Sequence, residues 1–295
     1  MKKFLFILVA ALVVACDPAV TMGDLEGYDD EGEDSIEVVS PAKKFTFTIK
    51  GDFAAPTFSR GYLQADGKEM TDLWVFDFVD GVCVQKLHQS ATDENWGKPQ
   101  MRLSLGAHSI KFVASRGSDP VVDEENHVIK WSSVKDTFWA NYDVEVKSSS
   151  NGNRAVTLAR VVTKLKATVD DKIVSACKHI VITPSVWYYG IDYVSGAAAA
   201  QDSKSITIDV PSSYVGTEGS LSASVFSVSG ATEWTSDVVI TATDADGVAI
   251  GAATIKAVPL KSNRATEYDG CLFSAGEGDD VSLATQWDAP VTGTW

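Results

Sequence analysis

The sequence is short of the residues that build most chemical sites. It has four cysteines, and with Cys16 set aside the rest, Cys83, Cys177 and Cys271, are an odd, widely spaced set without a C-x-x-C pair. That excludes a disulfide framework or a zinc knuckle and leaves core thiols in strands as the reading. Histidines are equally few: His88, His108, His127 and His179 fall in four separate segments with no H-x-x-x-H spacing, so neither a metal site nor a cofactor is expected. No G-x-S-x-G, H-E-x-x-H, G-x-x-x-x-G-K-[ST] or G-x-G-x-x-G occurs. No enzymatic activity is expected, the remaining route being two carboxylates on distant strands, which leave no local signature. Positive charge is scarce as well. Lys and Arg total 25 against 40 Asp and Glu, a formal net charge of −15, which argues against nucleic acid or an anionic lipid surface as a partner. Apolar residues nowhere recur at helical spacing for three full turns. The apolar run from Phe4 to Ala15 falls well short of the roughly 20 residues a membrane span needs.

That run still carries information. It follows Met1-Lys2-Lys3 and ends in small residues, the layout of a secretory signal over residues 1–15. Val13-Val14-Ala15-Cys16 resembles the lipobox of bacterial lipoproteins, in which the cysteine thiol is acylated, the peptide is cut before it, and the new amino terminus is acylated too. The alternative is an ordinary signal peptide with a chance cysteine. Several acyl chains, each adding ~0.8 kcal/mol per buried methylene, hold a protein durably where one would not. Cys16 is therefore expected to carry lipid, palmitate included, and the protein to be exported and anchored through it. Residues 16–42 hold nine acids from Asp17 to Glu37 and no Lys or Arg. A segment this polar and self-repelling reads as an acidic flexible tether.

Beyond Pro41 the pattern changes to period two. "KFTFTIKGDF" puts Phe45, Phe47 and Ile49 on one face and Thr46, Thr48 and Lys50 on the other, a strand. "LWVFDFVDGVCVQKL" is two β-rich runs joined at Asp80-Gly81, a dipeptide suited to a two-residue hairpin turn. Further strands are expected in "MRLSL", "HSIKFVAS", "HVIKW", "TFWANYDVEV", "VTLARVVTKLKATV", "KHIVITPSVWYYGIDY", "KSITIDV", "LSASVFSV", "DVVITATD", "GAATIKAV" and "DVSLATQW". Regular strands without helices between them indicate an all-β chain of antiparallel sandwiches. The polar turn cluster "KSSSNGNR", Lys147 to Arg154, marks the boundary, giving an N-terminal β-sandwich over 43–150 and a C-terminal one over 151–295.

Two motifs have a functional and a plain reading. In "TDADGV", Asp244 and Asp246 offer oxygens to calcium, but the loop lacks the remaining ligands and reads better as a hairpin turn. In "VWYYGIDY", Trp187 and Tyr189 share one face and Val186 and Tyr188 the other. One face must be core, and the other suits cross-strand aromatic packing better than a sugar platform.

Taken together and in order, the lipobox at Cys16, "FTFTIKG", "FSRG" at Phe58 to Gly61, "LWVFDFVDG", "LGAHSIKFVASRG", "VTLARVVTKLKATV", and the closing "VPLKSNRATEYDGCLFS" and "TQWDAPVTGTW" resemble the fimbrillin family of type V pili, with its FimA-like and Mfa-like subunits. Thr163 departs from the family's L-x-R-x-x-A-K pattern, here Leu158, Arg160 and Lys164. The chain is also shorter than a typical stalk pilin, which favours a minor, anchor or tip subunit. The resemblance implies two tandem transthyretin-like β-sandwiches on an outer-membrane lipoprotein displayed outward, with a role in adhesion and other fimbrial subunits as partners. In many stalk subunits a trypsin-like protease cuts beyond the first strand, and a neighbour's terminal strand fills the groove, binding by β-strand addition. Arg60, followed by Gly61, is where such a cut would fall. Anchor subunits keep their first strand, and Arg60 would then be a solvated loop residue. "DDVSLATQW", with Val281, Leu283 and Trp287, is the expected donor strand. From another class, a surface glycan-binding lipoprotein built of the same sandwiches is the alternative.

Overall fold

The structure, a computed structural model, describes residues 41–51, 70–116, 120–230, 233–273 and 291–294. Nine strands come from the first part of the chain: β1 (Lys43–Gly51), β2 (Asp72–Val79), β3 (Val82–Ser90), β4 (Gln100–Leu103), β5 (Gly106–Ser115), β6 (Val121–Asp123), β7 (Val128–Lys130), β8 (Thr137–Val146) and β9 (Asn153–Arg160). Ten follow: β10 (Val162–Val169), β11 (His179–Pro184), β12 (Trp187–Asp192), β13 (Ala198–Asp202), β14 (Ile206–Asp209), β15 (Leu221–Val228), β16 (Trp234–Thr243), β17 (Ala249–Leu260), β18 (Arg264–Gly270) and β19 (Val291–Thr294). Among the described residues the only helical element is the short 3-10 turn Ser212–Tyr214, so the chain is all-β as its alternation requires.

Seven strands form one sheet in the order β3-β2-β5-β8-β9-β1-β4. Its hairpin β2–β3 turns at Asp80-Gly81, whose φ values of 50° and 80° give the paired left-handed conformation of that turn type. The second part of the chain builds two four-stranded sheets, β15-β10-β18-β19 and β14-β11-β16-β17. A fourth sheet, β13-β12-β7-β6, draws strands from both parts. Pairing is mainly antiparallel, but β1 runs parallel to β9 and β10 parallel to β18, two pairs that alternation alone could not reveal.

Two long β-rich runs prove to be strand pairs. "VTLARVVTKLKATV" breaks at Val161, whose N–H donates to the Thr137 carbonyl and whose carbonyl accepts from Ser229, so the chain leaves one sheet there and enters another. "KHIVITPSVWYYGIDY" breaks after Pro184, which has no N–H to extend a ladder. The Lys147–Arg154 cluster is the turn between β8 and β9, both in the seven-stranded sheet, and the change of sheet lies at Val161.

Two cores result. Phe45, Phe47 and Ile49 pack with Leu73, Val75, Ile110, Phe112, Phe138 and Leu158 in the first. The second fills the later sheets, and it also receives Trp74, Phe76 and Phe78 from the opposite face of β2. The unbroken run "LWVFDFV" thus marks a strand buried on both faces.

Candidate functional site

The first strand is the centre of the functional reading, and its surroundings are specific. β1 lies between β4, antiparallel, and β9, parallel. Main-chain donors are used on both sides: Thr46 N–H donates to the Gly152 carbonyl at 2.6 Å, Phe47 N–H to Pro99 at 3.0 Å and Ile49 N–H to Gly97 at 3.0 Å. Phe45 and Phe47 stack with ring centroids 6.2 Å apart, and Phe47 meets Phe112 edge-on at 5.3 Å and Tyr142 at 5.9 Å. The Arg154 guanidinium lies 5.2 Å from the centre of the Phe45 ring. Gly152 allows the close approach of β9's leading turn, because a Cβ there would overlap the Lys44 carbonyl. The opposite face of β1 is open, with Lys44, Thr48 and Lys50 exposed.

A second cluster joins the two parts of the chain. Arg160 donates from Nε at 2.7 Å and from Nη2 at 2.9 Å to the Asp136 carboxylate, and from Nη1 to Asn263 Oδ1 at 3.0 Å, with its plane 4.9 Å from the Phe138 ring centre. Both charged side chains are largely buried, so the bidentate pair is a structural clamp. Thr163, the departure from the family pattern, is buried and donates its hydroxyl to the Arg264 carbonyl at 3.2 Å, which satisfies the polar atom that replaces an apolar one. β7 pairs with β12, and Trp139 Nε1 donates to the Tyr193 carbonyl at 2.9 Å.

A cavity of about 550 Å³ opens beside the β2–β3 turn, lined by Asp80, Lys111, His127, Asp143 and Glu145, with His108 in its wall. The His108 and Asp77 side chains are each 1% exposed, and Nδ1 lies 2.9 Å from both Asp77 oxygens. Nε2 lies 3.1 Å from the Ser104 carbonyl and 3.2 Å from its hydroxyl. The trio ties the turn at Ser104 to β2. Burial pushes the Asp77 carboxyl up, opposed by the hydrogen bond from His108.

A smaller cavity of about 360 Å³ lies between the segment Ser132–Lys135 and strands β12, β14 and β15. Lys204 Nζ sits 4.0 Å from the centre of the buried Tyr189 ring, whose hydroxyl donates to the Lys204 carbonyl at 3.3 Å. Burial first, then Asp202, pushes the Tyr189 phenol up to about 12.

Cys16, Arg60, Gly61, Val281, Leu283 and Trp287 lie outside the described residues. Cys177 is buried, Cys83 and Cys271 partly so, and no disulfide joins them. Burial pushes the Cys177 thiol up. Asp244 Oδ1 accepts from the N–H groups of Asp246 and Val248, which makes "TDADGV" a side-chain-braced turn between β16 and β17. In "VWYYGIDY", Trp187 and Tyr189 are core and Tyr188 packs edge-on against Trp234 at 5.1 Å, so both faces are aromatic packing. Sequence reasoning missed Asp136 and Lys204, whose partners Arg160 and Tyr189 lie on other elements of the fold.

This architecture is a multi-sheet, all-β fold found among solved structures. A Bacteroides ovatus protein described as a "putative adhesin" matches with a TM-score of 0.50 at 14% sequence identity, covering 89% of this chain and 96% of its own. A second so described, from Bacteroides ovatus ATCC 8483, gives a TM-score of 0.50 at 14% identity over 79% of this chain and 88% of its own. The fimbrial anchor protein Mfa2 from Porphyromonas gingivalis gives a TM-score of 0.46 at 10% identity, covering 78% of this chain and 91% of its own. No protein-family model matches the chain, and no curated protein matches its sequence. The likeness is one of fold, and the fold is that of the two Bacteroides ovatus adhesin structures.

Proposed function

We propose that the chain is a fimbrial subunit or pilus-associated lipoprotein of the fimbrillin kind, anchored in the outer membrane through acylated Cys16, surface-exposed and serving adhesion. The observation that supports this most is the placement of β1. It is the first described strand, yet both of its neighbours come from later in the chain, and it fills its slot with Phe45, Phe47 and Ile49 on a single face. Withdrawing it would open a slot between β4 and β9, and another strand of the same alternation could fill that slot by main-chain hydrogen bonds and side-chain pockets. Cleavage at Arg60-Gly61 would release it in a polymerising subunit, and the segment with Val281, Leu283 and Trp287 would be the donor; an anchor subunit would keep β1. The body then consists of two tandem sandwiches. Turn composition puts their boundary at Lys147–Arg154, and the pairing of β9 with β1 and β8 supports counting that strand with the first sandwich. A surface glycan-binding lipoprotein is the second reading, favoured by the lysine-lined cavity between the two parts.

Three measurements test the proposal. Cys16→Ala should abolish lipid labelling and membrane retention, and unchanged partition into detergent would sink the lipoprotein assignment. Electron microscopy of cells with and without the gene should show a change in surface filaments. Trypsin treatment of lipid-free protein should cut at Arg60 and yield ladders on an unboiled gel; cleaved protein that stays monomeric would replace the polymerising subunit with an anchor or glycan binder.

A further inference from the structure

We infer that the cavity between Ser132–Lys135 and strands β12, β14 and β15 is a binding site for a saccharide bearing a carboxylate or sulfate. This deepens the adhesive part of the proposed function and rests on display at the cell surface, but not on polymerisation.

Charge is the first argument. The chain carries 40 acids against 25 bases, yet the charged side chains lining this cavity are two lysines, Lys135 and Lys204, with no Asp or Glu among its lining residues. The larger cavity differs, since Asp80, Asp143 and Glu145 there face Lys111 and two histidines, and opposite charges compensate. A local reversal of sign on an acidic protein attracts an anion.

The second argument is preorganisation. Lys204 is held at both ends by one residue: its ammonium rests on the Tyr189 ring at 4.0 Å and its carbonyl accepts the Tyr189 hydroxyl. A lysine fixed before the ligand arrives loses less rotamer freedom on binding than a free one. Tyr189 is itself a buried core residue of β12, so the anchor is rigid.

The third argument is the rest of the lining. Ser132, Ser133, Thr207 and Ser224 are exposed around the cavity and supply hydroxyls that both donate and accept, the complement of a sugar's own hydroxyls. Half-buried Phe226 adds an aromatic surface for the apolar face of a pyranose ring. The volume of about 360 Å³ lies within the ~300–1,000 Å³ range of small-ligand pockets. A simple inorganic anion would use the lysines and leave the hydroxyls and Phe226 without a role.

The test uses the full lipid-free chain and calorimetric titration with glucuronic acid, N-acetylneuraminic acid, galactose 6-sulfate, neutral galactose and inorganic sulfate. At least one acidic saccharide should bind, with galactose and sulfate each about tenfold weaker or more, the loss expected for one charge-assisted hydrogen bond. Binding should weaken as salt rises. Lys204→Gln and Lys135→Gln, both exposed and tolerated by the fold, should each lower affinity about tenfold, and the pair should abolish it. Ser224→Trp, which fills the cavity from an exposed position, should abolish binding while thermal unfolding stays that of the parent protein. The inference is overturned if none of the acidic saccharides binds, if galactose or sulfate binds as tightly as they do, or if the lysine variants bind unchanged. Lipid labelling and filament microscopy read the proposed function separately, so loss of saccharide binding with both intact refutes this inference alone.

Discussion

β1 and β10 occupy the same place in their respective halves and are built differently. Each opens its half, each pairs antiparallel with a middle strand, β4 or β15, and each runs parallel to a later strand of that half, β9 or β18. Beyond that parallel partner lies one more strand, β8 for β9 and β19 for β18. The contrast is in burial. β1 hides Phe45, Phe47 and Ile49 and leaves its other face to solvent, whereas β10 buries Val162, Thr163, Leu165, Ala167, Thr168 and Val169 across both faces. β10 is also joined to β9 through Val161 alone, so it cannot leave without taking the chain with it. The same motif is buried on one face in one half and on both faces in the other.

The sharpest way to break that comparison is a charge in each slot. Phe47→Asp should cost several kcal/mol, because an unpaired carboxylate replaces a fully buried ring. Leu165→Asp should cost as much. If β1 is a replaceable insert, Phe47→Asp loosens the first core while near-ultraviolet signals from Trp187 and Trp234 persist; Leu165→Asp should erase those signals. Equal collapse in both variants would mean the halves do not differ in this way.

Next in size is the clamp between the halves. Arg160→Ala leaves Asp136 buried without its bidentate partner and should destabilise by about 3–5 kcal/mol in denaturant unfolding. Gly152→Ala should cost less, about 1–3 kcal/mol, since its methyl displaces the backbone at Lys44. Its signature is local: amide exchange at Thr46 and Phe47 should accelerate while β10 amides stay protected. The smallest effect is expected at Tyr189→Phe, about 0.5–1.5 kcal/mol for one hydroxyl hydrogen bond. Its pH dependence gives the sign. The folded phenol titrates at about 12 against an ordinary value of 10.0, so between those values the folded protein holds a proton the unfolded chain has lost. Stability should therefore fall as pH rises through that window, and the Phe variant should lose that share of the slope.

Much of the fold is legible in the residues because alternation with one wet face is a strong signal. "KFTFTIKG" and "TFWANYDVEV" read as strands, and Asp80-Gly81 as their kind of turn, with no tertiary knowledge. β6 and β13 were not legible: "VVD" and "AAAQD" are too short or too weakly patterned, and they are strands because β7 and β12 lie beside them. The breaks at Val161 and Pro184 were hidden for a related reason, since two consecutive strands in different sheets read as one long run. The smaller cavity was hidden because Lys135 and Lys204 are ordinary surface lysines in sequence, and they become a pair only when β7 brings its following segment to β12 and β15.

The parallel pairing of β1 with β9 also sets an order of events in time. Thr46 aligns with Asn153 and Gly51 with Leu158, so the first described strand pairs with residues that emerge from synthesis much later. Contacts so distant along the chain form slowly, because a large loop must close before they reward it. During synthesis β1 therefore waits, apolar face uncovered, until β9 arrives. The interval in which this chain is most open to a chaperone or a protease is written into its topology, before any partner is met.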